Sequence, residues 1–578
     1  MDIQRINQPF TIHDFSGGMR RDIDPSGLDP NQYLYAENLR VRNGPLQPIR
    51  LPLDASTGLP SQGNMQGCYQ VGDLRLVFID GRAYTRNLSD SNAVYKRVEA
   101  LNMDSSVEFI YIAVVPRSIL DFKRESNVEE ASSPIKFTEP ATGTDAGIIV
   151  QDGITRPYLI TDEVTARPCA NIEDWSDDPL GVREYVPVGA QMLYYDDKLY
   201  VVSPSGNEIY HSVTGRPLDF VIAIDNLGNK LSDLPPNGVE ASRLSYKLDN
   251  DTIISLKAAT LTQQLVNRLP TENPSGFLVG TRSTTYIVIP DYTDTIYGEP
   301  RFSNRPLFPT SPVNHFASVD TLGDTAFVDS NGLKSIESIL AVGNEGINIA
   351  FSSALEFYFQ GALQNENVTT GVFDNYAYFF INTKYGQRAI IYDTLTKVFV
   401  SLDNYTQVIS GNVKFFASGI LSDKTRVVCI GTDTGKIYEL EVATQGALEW
   451  QFYSKEWIIG DNFAELKPVL ISASVQGSKT NGTLYASAIV NRVLHTEDEE
   501  TINEVIRTIP ITPPYDSPSV DDVEEVNYGL ISAPSGSKVG FRLRSNIDAT
   551  IFMAGLHCDA ILSDISLTQM GKAYTNAS

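Results

Sequence analysis

At 578 residues, with 42% hydrophobic and 10% aromatic side chains, the chain exceeds one ordinary domain and can bury a large core. Its formal net charge of −26, from 71 acidic and 45 basic residues, argues against a nucleic-acid grip built on phosphate neutralisation by Lys and Arg. The four cysteines, Cys68, Cys169, Cys429 and Cys558, stand far apart and form no CxxC pair, which speaks against a clustered zinc site or a disulfide-dense secreted scaffold and for free, buried thiols made in a reducing cytoplasm.

The N-terminus, MDIQRINQPFTIHDF, lacks an apolar signal core, and no apolar run approaches the ~18 residues of a membrane helix. Export by a signal peptide and membrane spanning are therefore not expected. Residues 1–60 read as an extended arm, polar and broken by Pro9, Pro25, Pro30, Pro45, Pro48 and Pro52. Within it NQYLYAENLRV predicts one short helix, with Asp29 as N-cap, Pro30 at the first position and Gly44 beyond its end. Leu34, Leu39 and Val41 cannot make a core alone, so the arm must lie on the rest of its own chain or on a neighbouring subunit.

Residues 61–445 carry a repeat. Turn-tipped hairpins start at Leu74 (LRLVFIDGRAYT), Ile148 (IIVQDGITRPYLI), Leu193, Phe277 (FLVGTRSTTYIVI), Thr325 (TAFVDSNGLKSI), Tyr376 (YAYFFINTKYGQRAIIYD) and Val427 (VVCIGTDTGKIYELE). The third is the clearest: LYYDDKLYVVS and NEIYHS read as two alternating strands on half-buried faces, joined by Pro-Ser-Gly-Asn. Four of the six separations between starts fall close together, and the two longer ones read as insertions. A unit of roughly 40 to 50 residues holding one such hairpin is the size of a four-stranded propeller blade. An open array would leave strand edges unpaired, so the expected fold is all-β, a β-propeller of six or seven blades. The alternative is a long β-sandwich of unrelated hairpins.

Interruptions fall at 87–145, where VEFIYIAVVPRSIL is apolar enough for strands, and at 221–268, where LTQQLVNRL predicts an amphipathic helix. Residues 446–578 read as a C-terminal antiparallel β-domain, from SKEWIIGDNFAELKPVLISASVQGS through TLYASAIVN and KVGFRLRSN to IFMAGLHCDAILSDI. HTEDEE and TIPITPPYDSPSVDDVEE read as one exposed, acidic, proline-rich loop.

Chemistry is sparse. The histidines, at positions 13, 211, 315, 495 and 557, show no metal-ligand spacing, and HExxH, GxSxG, P-loop and EF-hand motifs are absent. His211 reads as a strand-end histidine bonded to a neighbouring carbonyl. Asp152, Asp196, Asp197, Asp329 and Asp374 fall at hairpin turns, where aspartate is favoured for capping, although propellers with paired carboxylates can also hydrolyse sugars. DNDT (249–252) and TDTG (432–435) could offer oxygens to calcium but read as turns. No catalytic residue, cofactor or metal is expected.

The arm's FSGGMRRDIDPSGLDPNQYLYAENLRVRNGPLQPI resembles the opening of the packaged-DNA stabilisation proteins of short-tailed bacteriophages, with their Gly-Gly, acidic, Pro-x-Tyr and Ala-x-Asn-x-Arg pattern. IIVQDGITRPYLI, MLYYDDKLYVVSPSGNEIYHSVTGRPLDF and SKEWII are similar to later segments of the same family, in the same order. The resemblance covers about a fifth of the chain and does not reach the two interruptions. It implies a non-enzymatic virion protein assembled in the host cytoplasm, a tail nozzle or hub in a ring of usually six copies below the portal and its adaptor. That ring continues the DNA channel, retains the packaged genome and passes it during ejection, without sequence-specific contacts. On this reading Phe15, Gly17, Gly18, Asp22, Tyr33, Asn38 and Arg40 belong to an anchoring arm, and the negative charge keeps DNA sliding rather than bound. A propeller-type polysaccharide hydrolase and a protein-binding scaffold are the alternatives.

Overall fold

A computed structural model describes residues 4–116, 146–169, 186–220, 243–244, 251–259, 276–336, 339, 355, 368–459, 464–466, 469–476, 482–490, 505–511, 526–531, 538–546, 548 and 550–562, with breaks of one or two residues inside some of these stretches. The chain is nearly all β, as its alternating patterns predict. Among the described residues no helix is long and apolar enough to cross a membrane.

Among the described residues seven antiparallel sheets follow one another along the chain, the first six of them simple up-and-down meanders. Sheet one is Met65–Val71, Leu74–Ile79, Arg82–Asn87 and Lys96–Asn102; sheet two is Tyr111–Pro116, Ala146–Gln151, Tyr158–Ile160 and Ala166–Pro168. Sheet three is Met192–Tyr195, Lys198–Val202, Ile209–His211 and Arg243–Leu244; sheet four is Ile253–Ala258, Phe277–Thr281, Thr285–Ile296 and Glu299–Phe308. Sheet five has Ser318–Thr321, Asp324–Asp329 and Gly332–Ser335, and sheet six Thr369–Phe373, Tyr376–Thr383, Gly386–Asp393 and Val398–Asp403. Sheet seven combines Val413–Ile420, Arg426–Thr432 and Ile437–Glu439 with Leu53–Asp54 from the arm. Six of the seven hairpins anticipated from sequence form the second and third strands of one sheet, and the one starting at Leu193 spans the first three strands of sheet three.

These central strands are apolar on both faces because both faces are covered. In sheet three Leu199 and Val201 pack with sheet two, while the alternate residues Tyr200 and Val202 pack with sheet four. In sheet one Leu76 and Phe78 turn to sheet two, and Val77 and Ile79 to sheet seven. Period-two alternation here therefore separates two neighbours rather than core from water, which corrects the half-buried reading. Each adjacent pair shares an apolar cluster, and so do the last sheet and the first, so the seven sheets close into a circuit. The two-residue strand Leu53–Asp54, paired with Ile437–Glu439, makes sheet seven from both ends of the circuit.

Local chemistry sets the turns. Asp196 and Asp197 both adopt positive φ, 50° and 56°, so LYYDDKLYVVS is a hairpin in itself rather than one strand. Buried amides tie sheet to sheet: Gln66 Nε2 donates to Val107 O at 2.8 Å, and Gln387 Nε2 to Val413 O at 2.7 Å. Both lead from one sheet into the next, satisfying backbone carbonyls at the junctions.

The arm is woven into the C-terminal strands. Gln4–Ile12, Leu39–Val41 and Leu46–Pro48 join a sheet with Ala464–Leu466, Val469–Gln476, Val526–Ile531 and Thr550–Leu562. Tyr35–Glu37 joins a second sheet with Trp450–Tyr453, Trp457–Ile458, Gly482–Val490, Val505–Ile511 and Lys538–Ser545. The helix predicted over NQYLYAENLRV is thus two short strands; the 3-10 turn of the arm is Pro25–Gly27, capped by Asp24, and not at Asp29 and Pro30. An isolated helix of that length is marginal, and open strand edges satisfy the same backbone groups with better burial. TIPI of the expected loop is likewise strand, at the end of Val505–Ile511. The two interruptions contribute strands at Lys96–Asn102, Tyr111–Pro116, Arg243–Leu244 and Ile253–Ala258. LTQQLVNRL, HTEDEE and residues 512–525 lie outside the described residues.

Candidate functional site

The arm residues singled out in the sequence converge on a buried joint between the arm, sheet six and the C-terminal sheets. Asn38 sits between the strands Tyr35–Glu37 and Leu39–Val41 at φ 58°, which turns the chain from one C-terminal sheet to the other. Asparagine tolerates this left-handed conformation, and here both ends of its amide are used. Its Nδ2 donates to Glu449 O at 2.5 Å, and its Oδ1 accepts from Asn404 N at 2.8 Å.

Two residues on, Arg40 is buried at 1% exposure against Asp403, the last residue of sheet six, whose exposure is 0%. Arg40 Nη1 donates to Asp403 Oδ1 at 2.9 Å and to Ser401 Oγ at 3.1 Å, and Nη2 donates to Asp403 Oδ2. Ser401 and Tyr405 hydroxyls donate to the same carboxylate at 2.6 Å and 3.1 Å, and the guanidinium lies over the Tyr376 and Tyr378 rings at 5.5 Å and 5.3 Å. Burial alone would lower the Arg40 pKa, but the Asp403 charge raises it well above the ordinary value, so the guanidinium stays charged.

The other arm residues extend this joint. Phe15 and Tyr33 are fully buried around Phe452, at 5.5 Å and 5.4 Å between ring centres, and Tyr33 Oη donates to Val400 O at 2.8 Å. Gly18 has φ 74°, and a Cβ there would stand 2.6 Å from Phe399 O; Gly17 leaves room for Asn31 in the same way. Asp22 lies nearer the surface, held by Arg20 at 2.6 Å, whose hydrogen bond lowers its pKa. The contacts made by Phe15, Gly18, Tyr33, Asn38 and Arg40 are to the chain's own sheets. Asp403, Ser401 and the tyrosines were not legible as partners, because more than three hundred positions separate them from Arg40.

A second feature fills the middle of the circuit. Phe316, which leads into sheet five, meets Phe109 at 5.2 Å, Phe415 at 5.3 Å, Tyr111 at 6.1 Å and Tyr69 at 6.4 Å between ring centres. Phe415, Tyr69 and Tyr111 belong to sheets seven, one and two, and Phe109 to the link between sheets one and two, so Phe316 reaches across the circuit. Lys414 caps the group, its Nζ 5.2 Å from the Phe109 ring centre and donating to Glu108 O at 3.1 Å. Rings this close leave no passage for a double helix through one chain's own centre.

His315 borders this plug, perpendicular to Tyr111 at 5.3 Å and to Phe316 at 5.2 Å, with no hydrogen-bond partner at Nδ1. Burial pushes its pKa down to about 4, helped by the Lys257 ammonium, itself paired with Asp320 at 3.6 Å. The unfolded chain therefore takes up a proton near pH 6.5 that the folded chain refuses until about pH 4. The stabilisation from a neutral His315 is complete above pH 6.5 and is lost as pH falls from there toward 4. His315→Phe should flatten the stability profile by about 2 kcal/mol between those limits, read as urea midpoints of the two proteins across pH. Parallel profiles would refute it.

The carboxylates weighed for hydrolysis are held by separate partners, some in their own turn and some in a neighbouring segment. Asp152 accepts from Ile154 N at 2.8 Å and Asp104 N at 2.7 Å; Asp329 accepts from Thr310 Oγ1 at 2.5 Å; Asp374, at φ 52°, pairs with Arg426 at 2.5 Å. Of the two calcium candidates, Asp251 accepts from Thr281 and Ser283 hydroxyls, and Asp433 from Asn412 N at 3.0 Å. Among the described residues no cluster could hold a metal ion. His211 ends its strand with Nδ1 2.9 Å from Ser212 O, as its sequence position suggests.

No family model matches the chain, and no curated protein does. Among solved structures, the chain is similar to BBS1N crystallised with ARL6DN (13% identity, 52% of this chain and 88% of that one, TM-score 0.23). It is also similar to the N-terminal domain of Nup159 (9% identity, 76% and 94%, TM-score 0.22). A third is the extracellular domain of the putative one component system BT4673 from B. thetaiotaomicron (11% identity, 75% and 44%, TM-score 0.24). Scores this low carry no argument, and the architecture rests on the chain's own sheets.

Proposed function

We propose that the seven sheets are the blades of one β-propeller and that the chain is a structural subunit of a short-tailed phage tail. In this reading it is a nozzle or hub that forms a closed ring, usually of six copies, below the portal and adaptor, retaining the packaged genome and passing it during ejection. The observation that carries the reading is the arm joint. The residues on which the family resemblance rests, Tyr33, Asn38 and Arg40, are the ones that fasten arm, sheet six and C-terminal sheets into one block. A subunit that bears load in a tail needs such a block and needs no reactive site.

The aromatic plug adds a geometric condition. A duplex that passes this protein runs between copies of the chain, along the axis of the ring, and not through a single subunit. The net charge of −26 suits that lumen, because a basic wall would bind each phosphate and slow exit.

The test is mass measurement and particle imaging of the purified chain, alone and mixed with a tail adaptor. The expected result is a closed ring built through a head-to-tail interface, with acidic side chains facing its lumen. A chain that stays monomeric in both conditions, or a ring lined mainly by Lys and Arg, would overturn the proposal.

A further inference from the structure

The seam where sheet seven meets sheet one holds two thiols in contact. Cys68, on the first strand of sheet one, and Cys429, on the second strand of sheet seven, have Sγ atoms 3.8 Å apart, and both side chains are buried. The sheets come this close because Gly431, on the same face of its strand as Cys429, has no side chain: a Cβ there would lie 2.3 Å from Met65 Sδ and 3.4 Å from Cys68 Cβ. Beside the sulfurs stands Arg75 of sheet one, 1% exposed, donating to Glu439 of sheet seven at 2.8 Å and to Gln70 at 3.1 Å. Arg86 joins the same carboxylate at 3.4 Å.

We propose that Cys68 and Cys429 form a modification site, a dithiol that a small hydroperoxide converts to a disulfide fastening the first sheet to the seventh. The inference rests on the seam alone and is independent of the tail assignment. The hydrogen bond from Cys68, together with the Arg75 charge, lowers the pKa of Cys429, which makes Cys429 the nucleophile. Its thiolate attacks one peroxide oxygen, the O–O bond breaks, the released hydroxide takes a proton to leave as water, and Cys429 becomes a sulfenic acid. Cys68 then gives up its proton and attacks Cys429 Sγ, and the hydroxyl leaves as a second water. In sum two thiols lose two hydrogens and one hydrogen peroxide is reduced to two waters.

The location gives the bond its effect. The circuit's ends are otherwise joined by side-chain packing, by polar contacts such as Arg75–Glu439 and Ser422–Asp73, and by the two-residue strand Leu53–Asp54, and the cross-link would tie residues 361 positions apart. Peroxide is small enough to reach a buried pair through transient opening of the seam, whereas a bulky oxidant is not.

The experiment is dilute hydrogen peroxide on the folded, reduced full chain, followed by intact mass and non-reducing peptide mapping. The expected product has lost two hydrogens, contains a Cys68–Cys429 linked peptide pair, reverts with reductant, and unfolds in urea at least about tenfold more slowly. In Cys68→Ser, Cys429 should stop at a sulfenic acid that dimedone traps; should that variant not fold, the wild-type map decides alone. Oxygen adducts on Cys429 without the linked pair, a link to another cysteine, or thiols that stay unmodified while the urea-denatured chain reacts would each overturn the proposal.

Discussion

Arg40→Met should lower the stability of the folded chain by about 3–5 kcal/mol and free the arm to proteolysis, measured as a shift in urea midpoint and as early cleavage within residues 1–50. The reason lies in what remains. Removing the guanidinium strands the Asp403 carboxylate at 0% exposure, with only the Ser401 and Tyr405 hydroxyls left as donors. An uncompensated buried charge costs more than the pair contributes, so Asp403→Leu placed on top of Arg40→Met should recover most of the loss. Arg40→Lys should not rescue, because one ammonium cannot reach both carboxylate oxygens and Ser401 while covering Tyr376 and Tyr378. An unchanged midpoint in Arg40→Met would mean that the arm is held elsewhere, by the pairing of Gln4–Ile12 with Thr550–Leu562.

Phe316→Ala should have the next largest consequence, about 2–3 kcal/mol in urea unfolding, because it removes a partly buried ring that four others touch from across the circuit. Few local changes can close the resulting gap, since Tyr111, Phe415 and Tyr69 are each fixed by their own sheets and Phe109 packs edge-on against Phe415. Phe316→Leu, which fills part of the space, should lose less than half as much. In assembled particles the same Ala variant should still form rings and pass DNA if the route lies between subunits. Faster or leaking release of DNA with rings intact would place the route through the plugged centre and contradict the proposed geometry.

How far the sequence reached is clearest at particular residues. IDGR at the tip of the first hairpin predicts its turn, and Asp80 and Gly81 there both have positive φ. The same local chemistry located the other six central hairpins, because alternation and turn residues act over a few positions. Where two local signals competed, the reading failed. NQYLYAENLRV has helix-forming residues and a plausible cap, yet its backbone pairs with Trp450–Tyr453 and Leu46–Pro48. Propensity differences of a few tenths of a kcal/mol per residue cannot outweigh an open sheet edge. Asp152 caps its own turn as expected, Asp329 ends a strand and binds Thr310 of another segment instead, and the plug leaves no trace in the sequence, since Phe109, Phe316 and Phe415 are single aromatics in unrelated segments.

The chain's own order of residues determined that it would be a β protein of repeated hairpins with a distinct N-terminal arm, because strand alternation, turn geometry and proline placement are short-range properties. Only the tertiary structure decided that the sheets meet end to end, that the centre is filled, that Arg40 finds Asp403 and that Cys68 finds Cys429. Those pairings join positions more than three hundred and sixty residues apart, and chain closure over that span leaves no periodic mark; it is set by which faces remain uncovered once the local elements have formed.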